Sequence, residues 1–226
     1  MGAIILVVSA DRSTQGLAWQ IVSAKVPCCV HFVLSRLLHP MTESPSLVLP
    51  LQVIDECHID LELDTAVRRL LCECFPSDAE AFSVRRAWND VRPAFSVFAW
   101  HGDKVVGQVG IIERPITCGD VLVRVAGVQS LAVVPDWRRS GLSQRLMAAA
   151  MREAQRRGMR FGLLFCVPEL EGFYARMDWR RIDRAVTMRD AAGRPVPLTA
   201  KNISMELALA GDPLPPGPID LQGRDW

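Results

Sequence analysis

Pro135-Asp136-Trp137-Arg138-Arg139-Ser140-Gly141-Leu142-Ser143 is the stretch on which the fold turns. It lies between a β-rich run, Val121 to Val134, and a strong helical pattern that starts near Gly141. Its reading is a strand, a tight basic turn, then a helix N-terminus. Such a turn offers unpaired backbone N–H groups, the positive end of a helix dipole and the guanidiniums of Arg138 and Arg139. Together they suit a pyrophosphate. Gly141 lets the backbone come close to an anion, and Ser143 is small enough not to block it. A solvated helix cap is the alternative reading, and the order of the surrounding elements decides between the two.

Upstream, Leu49 to Ile54 reads as a short strand with Pro50 in its first residues. Asp64 to Phe75 carries Ala66, Val67, Leu70, Leu71 and Cys74 at helical spacing. A second helix, capped by Ser77 or Asp78, runs toward Trp88. Phe95 to Trp100 and Lys104 to Arg114 read as strands joined at His101-Gly102-Asp103, and a hairpin at Thr117-Cys118-Gly119-Asp120 leads to the Val121–Val134 strand. Downstream, the helix from Gly141 ends at Arg157, with Gly158 as C-cap. A buried strand, Phe161 to Val167, and a short helix, Pro168 to Met177, follow. Two last strands, Arg181 to Arg189 and Ile203 to Ala210, flank a Gly/Pro-rich turn. Three strands in a row without a helix exclude a doubly wound fold of alternating βαβ units.

This order, with the spacing Arg-x-x-Gly-x-Ser at Arg138, Gly141 and Ser143, resembles the GNAT N-acyltransferase superfamily over about residues 47–210. The resemblance implies an α/β (α+β) fold: a mixed sheet of about seven strands with splayed fourth and fifth strands and flanking helices. It implies acyl-CoA, most simply acetyl-CoA, as cosubstrate. The diphosphate would lie on Arg138, Arg139, Ser140, Gly141, Leu142 and Ser143, and the pantetheine arm on main-chain groups of Leu131, Ala132 and Val133. Gly172-Phe173-Tyr174 through Trp179 is similar to the family's Phe-Tyr-x-x-x-Gly-Phe ending, with Asp178 in place of the glycine. By that likeness Tyr174 protonates the departing thiolate, a task suited to a phenol whose ordinary pKa lies above that of a thiol. Gln129 stands where some relatives carry a carboxylate, and an amide cannot take a proton; Glu113, at the end of the third strand, is the nearest carboxylate by topology to act as base, with Asp178 second.

The entry Asp136-Trp137-Arg138 and the ending Asp225-Trp226 also resemble the aminoglycoside 2′-N-acetyltransferases. Arg86-Ala87-Trp88 and Pro216-Gly217-Pro218 resemble the nodulation N-acyltransferases. These likenesses imply a small-molecule amine acceptor, an amino sugar or aminoglycoside, with Asp225 and Trp226 in its cleft. Residues 211–226 are expected to line that cleft as a locally acidic lip suited to a polycation. A non-catalytic acyl-CoA sensor or interaction module on the same scaffold is the competing reading. Coexistence of Arg138, Gly141 and Tyr174 speaks against it, since a scaffold needs none of them.

The chain has 226 residues, half of them apolar, and a formal net charge of +1. With no polybasic tract, nucleic acid is not an expected partner. The seven cysteines form no pair of Cys-x-x-Cys units, so no metal site is expected, and their odd count suits thiols kept reduced in the cytoplasm. Residues 1–40 read as a poorly ordered extension or an upstream-start artefact, with the domain beginning at Met41. Ala3 to Ala10 is too short an apolar run to span a bilayer, so no membrane partner is expected. The oligomeric state is open, a homodimer included.

Overall fold

A computed structural model describes residues 48–226. The expectations for residues 1–40 and for Met41 lie outside the described residues. β1 (Leu51–Asp55) leads into α1 (Leu61–Cys74). The Asp60 carboxylate caps α1 by accepting the Leu63 N–H at 2.8 Å. Val67, Leu70, Leu71 and Cys74 form the buried face of α1, as their spacing requires. Asp60→Ala is expected to cost about 1 kcal/mol. Calorimetry should show this as a fall of about 2–4 °C in Tm; an unchanged Tm would mean that water replaces the cap.

α2 (Ala79–Val84) is shorter than the sequence suggests. It stops because Arg85 turns extended and Arg86 is drawn aside to Glu56 and, at 2.9 Å, to Asp64. A 3-10 turn at Trp88–Asp90 then places Asn89 and Asp90 in the left-handed region, at φ 50° and 59°. Next come β2 (Phe95–His101), β3 (Lys104–Cys118) and β4 (Val121–Val133), an antiparallel meander. α3 (Leu142–Arg156) follows the basic turn, and β5 (Phe161–Cys166) returns parallel to β4 before α4 (Glu171–Ala175). The remaining strands are β6 (Arg180–Ile182), β7 (Val186–Arg189), β8 (Pro195–Pro197), β9 (Ile203–Ala208) and β10 (Ile219–Asp220).

The described residues form one sheet of ten strands in the order β6-β9-β5-β4-β3-β10-β7-β8, with β2 on β3 and β1 on β2. The three strands beyond the expected seven have local causes. The stretch 181–189 is two strands, not one: β6 pairs with β9, whereas β7 pairs with β8 and β10 at the far side of the sheet. Arg184 holds the crossing, donating to the Pro215 carbonyl and reaching Glu206 at 3.5 Å. Inside the Gly/Pro-rich turn, Pro195–Pro197 pairs with β7. The tail contributes β10 between β3 and β7 and buries Leu214, Ile219, Leu221 and Trp226. It is therefore part of the sheet and its core, more than a lip beside it.

α3 covers one sheet face through Leu142, Leu146, Ala150 and Ala154, packed with Phe95, Val97 and Val133. α1 and α2 cover the opposite face over Phe98, Val105 and Ala132. The tail continues that second layer over Ile112, Val125, Leu163 and Phe165. Among the described residues, no helix is long and apolar enough to cross a membrane.

Candidate functional site

The site begins where β4 and β5 part. Their ladder covers Val125, Ala126 and Gly127 against Phe161, Gly162 and Leu163. Past Gly127, β4 runs on beside β3 alone and β5 beside β9 alone. The parting coincides with a bulge in β4. The register with β3 slips between Gln108 and Gly110, and Ser130 sits at φ 52°. The buried Gln108 amide holds the bulge by donating to the Ser130 carbonyl at 3.1 Å. The Gln129–Ser130 pair inside an apolar central strand is the sequence signal that could have located this bulge.

Beyond the bulge the backbone alternates. Val134 donates its N–H to Val106 of β3 at 3.0 Å, so Ala132, paired with Gln108, also turns its main-chain groups to β3. Leu131 and Val133 turn theirs toward the gap. Ala132, expected beside them, pairs instead with Gln108 of β3.

The basic turn closes the wide end of the gap. Pro135–Trp137 form a 3-10 turn, and the Trp137 ring packs on His101 with centroids 5.1 Å apart. Arg138 folds back, its Nε donating to the Val133 carbonyl at 3.1 Å. It lies near the Cys74 thiol, which burial pushes up to about 11 against the pull of Arg138. Arg139 is exposed at φ 60°, and the Ser140 hydroxyl donates to the Trp137 carbonyl. Gly141 stands at φ 79°, with open space where a Cβ would go. α3 starts there with no side-chain cap and no acid in its first turn; its first backbone bond runs from Arg145 N–H to Gly141 O. The N–H groups of Leu142, Ser143 and Gln144 thus face outward at the positive helix end.

Tyr174 approaches the gap from α4. Its ring is fully buried among Phe173, Trp179 and the core under α3. Its hydroxyl has no hydrogen-bond partner among the described residues. Burial pushes the phenol well above its ordinary pKa, with Cys166 at the end of β5 adding to the rise. The Ser130 hydroxyl in the bulge is buried and unpartnered too. Two orphaned hydroxyls, one on β4 past the parting and one beside the end of β5, fit a polar group entering between the strands.

Other expected residues lie elsewhere. Glu113 faces Ala126 across the β3–β4 ladder, before the parting. Its carboxylate pairs with Arg124 at 2.8 Å and with Arg157 at 3.8 Å, beyond the C-terminal end of α3. The structure does not bring it together with Tyr174 or the basic turn. Gln129 ties down a loop: its side chain accepts the Trp88 N–H at 3.2 Å and donates to the Val91 carbonyl at 2.7 Å. Asn89, which the sequence reading passed over, lies in that loop and donates to the Asp225 carboxylate at 2.7 Å. Asp225 is 5% exposed, and burial raises its pKa. Trp226 is buried against Phe165 and covers Gly127 at the point of parting, with the Arg114 guanidinium 5.0 Å from its ring. The acidic lip is not free, since Asp212 pairs with Arg160 and Asp220 with Arg189, each at 2.7 Å.

The sequence and the fold have known relatives. Residues 62–182 match the family described as acetyltransferase (GNAT) domain. The aminoglycoside 2′-N-acetyltransferase of Mycolicibacterium fortuitum is 23% identical over 57% of this chain and 63% of its own length. Nodulation protein A of Bradyrhizobium elkanii is 32% identical over 46% of this chain and 49% of its own. The chain therefore spans about half to two thirds of these curated relatives. The GNAT family N-acetyltransferase YhbS of Escherichia coli, solved in complex with CoA, shares the fold at a TM-score of 0.56 and 19% identity, over 77% of this chain and 91% of that one. The family model covers more than half of the chain, including the bulged strand, the parting sheet and the basic turn, and the chain belongs to the GNAT acetyltransferases.

Proposed function

We propose that the protein transfers an acyl group from acyl-CoA, acetyl-CoA in the simplest case, to a primary amine of a small molecule. The carrying observation is the parting of β4 from β5, with a bare helix N-terminus at its mouth and an orphaned phenol at its inner wall. Diphosphate suits the outward N–H groups of Leu142, Ser143 and Gln144 and the basic Arg139 beside them. Arg138 braces the turn through Val133. The Leu131 main chain and the Val133 N–H are offered to the pantetheine amides and thioester carbonyl. When bound, the cosubstrate supplies an activated acyl carbon. The amine nitrogen attacks that carbon, the C–S bond breaks, and Tyr174 gives its proton to the departing sulfur. The amine proton passes to water, because Glu113 is engaged by two arginines away from the gap. The M. fortuitum relative's name supports an amino sugar as acceptor, and Asn89 and Asp225 line a cleft that would receive it.

Ser143→Glu tests this reading. A carboxylate in the first turn suits the α3 dipole, so Tm should hold or rise slightly. The same charge repels a diphosphate, so titration calorimetry should show acetyl-CoA bound about 100-fold more weakly than by the wild type. Equal affinity in the two proteins, or no heat from the wild type, would overturn the proposal.

A further inference from the structure

Where β7 meets the C-terminal tail lies a small cleft of about 210 Å³. Asn89, Arg189, Thr199, Arg224 and Asp225 are among its lining. Two contacts link it to the gap. Gln129 of the β4 bulge holds the residues flanking Asn89, and Trp226, next to Asp225, covers Gly127 where β4 and β5 separate.

The charges in this cleft are unevenly committed. Its carboxylates are occupied: Asp225 is buried and accepts from Asn89, and Asp190 accepts from Arg194 and from the backbone of its own turn. Its guanidiniums are less fully used. Arg224 is exposed; its guanidinium donates to the Asn89 side-chain oxygen at 3.3 Å and pulls on the buried Asp225 carboxylate through space, with no ion pair to it within 4.0 Å among the described residues. Arg189 spends Nη2 on Asp220 at 2.7 Å and leaves Nη1 buried with nothing to donate to. A buried guanidinium donor without an acceptor is costly, and an anion is the group that satisfies it.

We infer that the acceptor carries an anionic group, carboxylate or phosphate, a few bonds from its amine, and that Arg189 and Arg224 receive it in this cleft. The inference rests on the acyl-transfer reading and narrows its substrate class. It turns the expected polycation preference around, because no free carboxylate lines the cleft to attract a second ammonium.

Thiol release from acetyl-CoA is measured with matched acceptors: n-butylamine against 4-aminobutanoate for the carboxylate, and glucosamine against glucosamine 6-phosphate for the phosphate. One charge-assisted hydrogen bond contributes about tenfold in affinity, so the anionic member of at least one pair should show a kcat/KM about tenfold higher or more. Whichever pair responds identifies the source of the anion. Arg224→Gln, at an exposed side chain, should collapse that ratio toward one while the acetyl-CoA Kd and Tm stay at wild-type values. Thiol release with ratios near or below one, or a ratio that survives Arg224→Gln, would overturn the anion pocket and leave acyl transfer standing. Binding of acetyl-CoA without thiol release from any of the four amines would remove acyl transfer and the acceptor assignment together.

Discussion

Tyr174→Phe is expected to slow turnover by about 10²–10⁴-fold, the usual contribution of a positioned proton donor, while acetyl-CoA affinity stays within a few fold. The same change should leave the fold as stable as before or more so. The Tyr174 hydroxyl is buried without a partner, and an orphaned hydroxyl costs about 1–3 kcal/mol. Phe fills the same space without it, so Tm should rise by a few degrees, at about 2–4 °C per kcal/mol. A buried phenol retained for structure alone would move neither rate nor stability in this paired way. The pH profile adds a sign. Burial lifts the phenol well above its ordinary pKa, so it stays protonated through neutral and mildly basic pH. Its ionisation should therefore give kcat no alkaline fall below about pH 10. Wild-type kcat in Tyr174→Phe would take the residue out of the chemistry, and an alkaline fall near pH 8 would point to another donor.

Gly127→Val is expected to have the largest effect on stability. A Cβ built at Gly127 meets the Trp226 ring at 2.5 Å, and the clash is with a side chain that is 1% exposed. The valine and the indole cannot both remain, so the indole leaves its seat between Gly127 and Phe165. Losing a buried tryptophan costs about 3–5 kcal/mol, read as a Tm fall of roughly 10 °C. The Asn89–Asp225 bond adjoins the displaced residue, so the cleft should open with it and the acceptor KM should rise more than the acetyl-CoA Kd. The check is a double-mutant cycle. In a Trp226→Ala background the valine finds room, so the two costs should fall well short of additive. Additive losses would mean that Gly127 matters for its backbone and that Trp226 seats elsewhere.

The helices and long strands were readable because each carries its own period. Leu142, Leu146, Ala150 and Ala154 repeat as one helix face, and the turn from Arg138 to Gly141 needs only local residues to present its N–H groups. The Ser130 bulge was half visible, as two polar residues in an apolar strand. The rest depended on partners far along the chain. Asn89 and Asp225 are 136 residues apart, and no period or spacing links them. Glu113 looked available by topology, but Arg124 and Arg157 meet only in the folded chain to occupy it. Arg181 to Arg189 looked like one strand because burial alternation says nothing about which neighbour each half pairs with.

From its residues alone, this chain determined the order of its elements, the basic turn before α3 and the candidate roles of Gly141 and Tyr174. Hydrophobic period and turn chemistry act within a few residues and are written in the local sequence. Only the tertiary structure decided where β4 leaves β5, that the tail enters the sheet as β10, and which charges of the cleft remain unmatched. Those follow from strand pairing and ion pairing between segments brought together by collapse of the core, and such pairings are chosen by the whole fold rather than by any one segment.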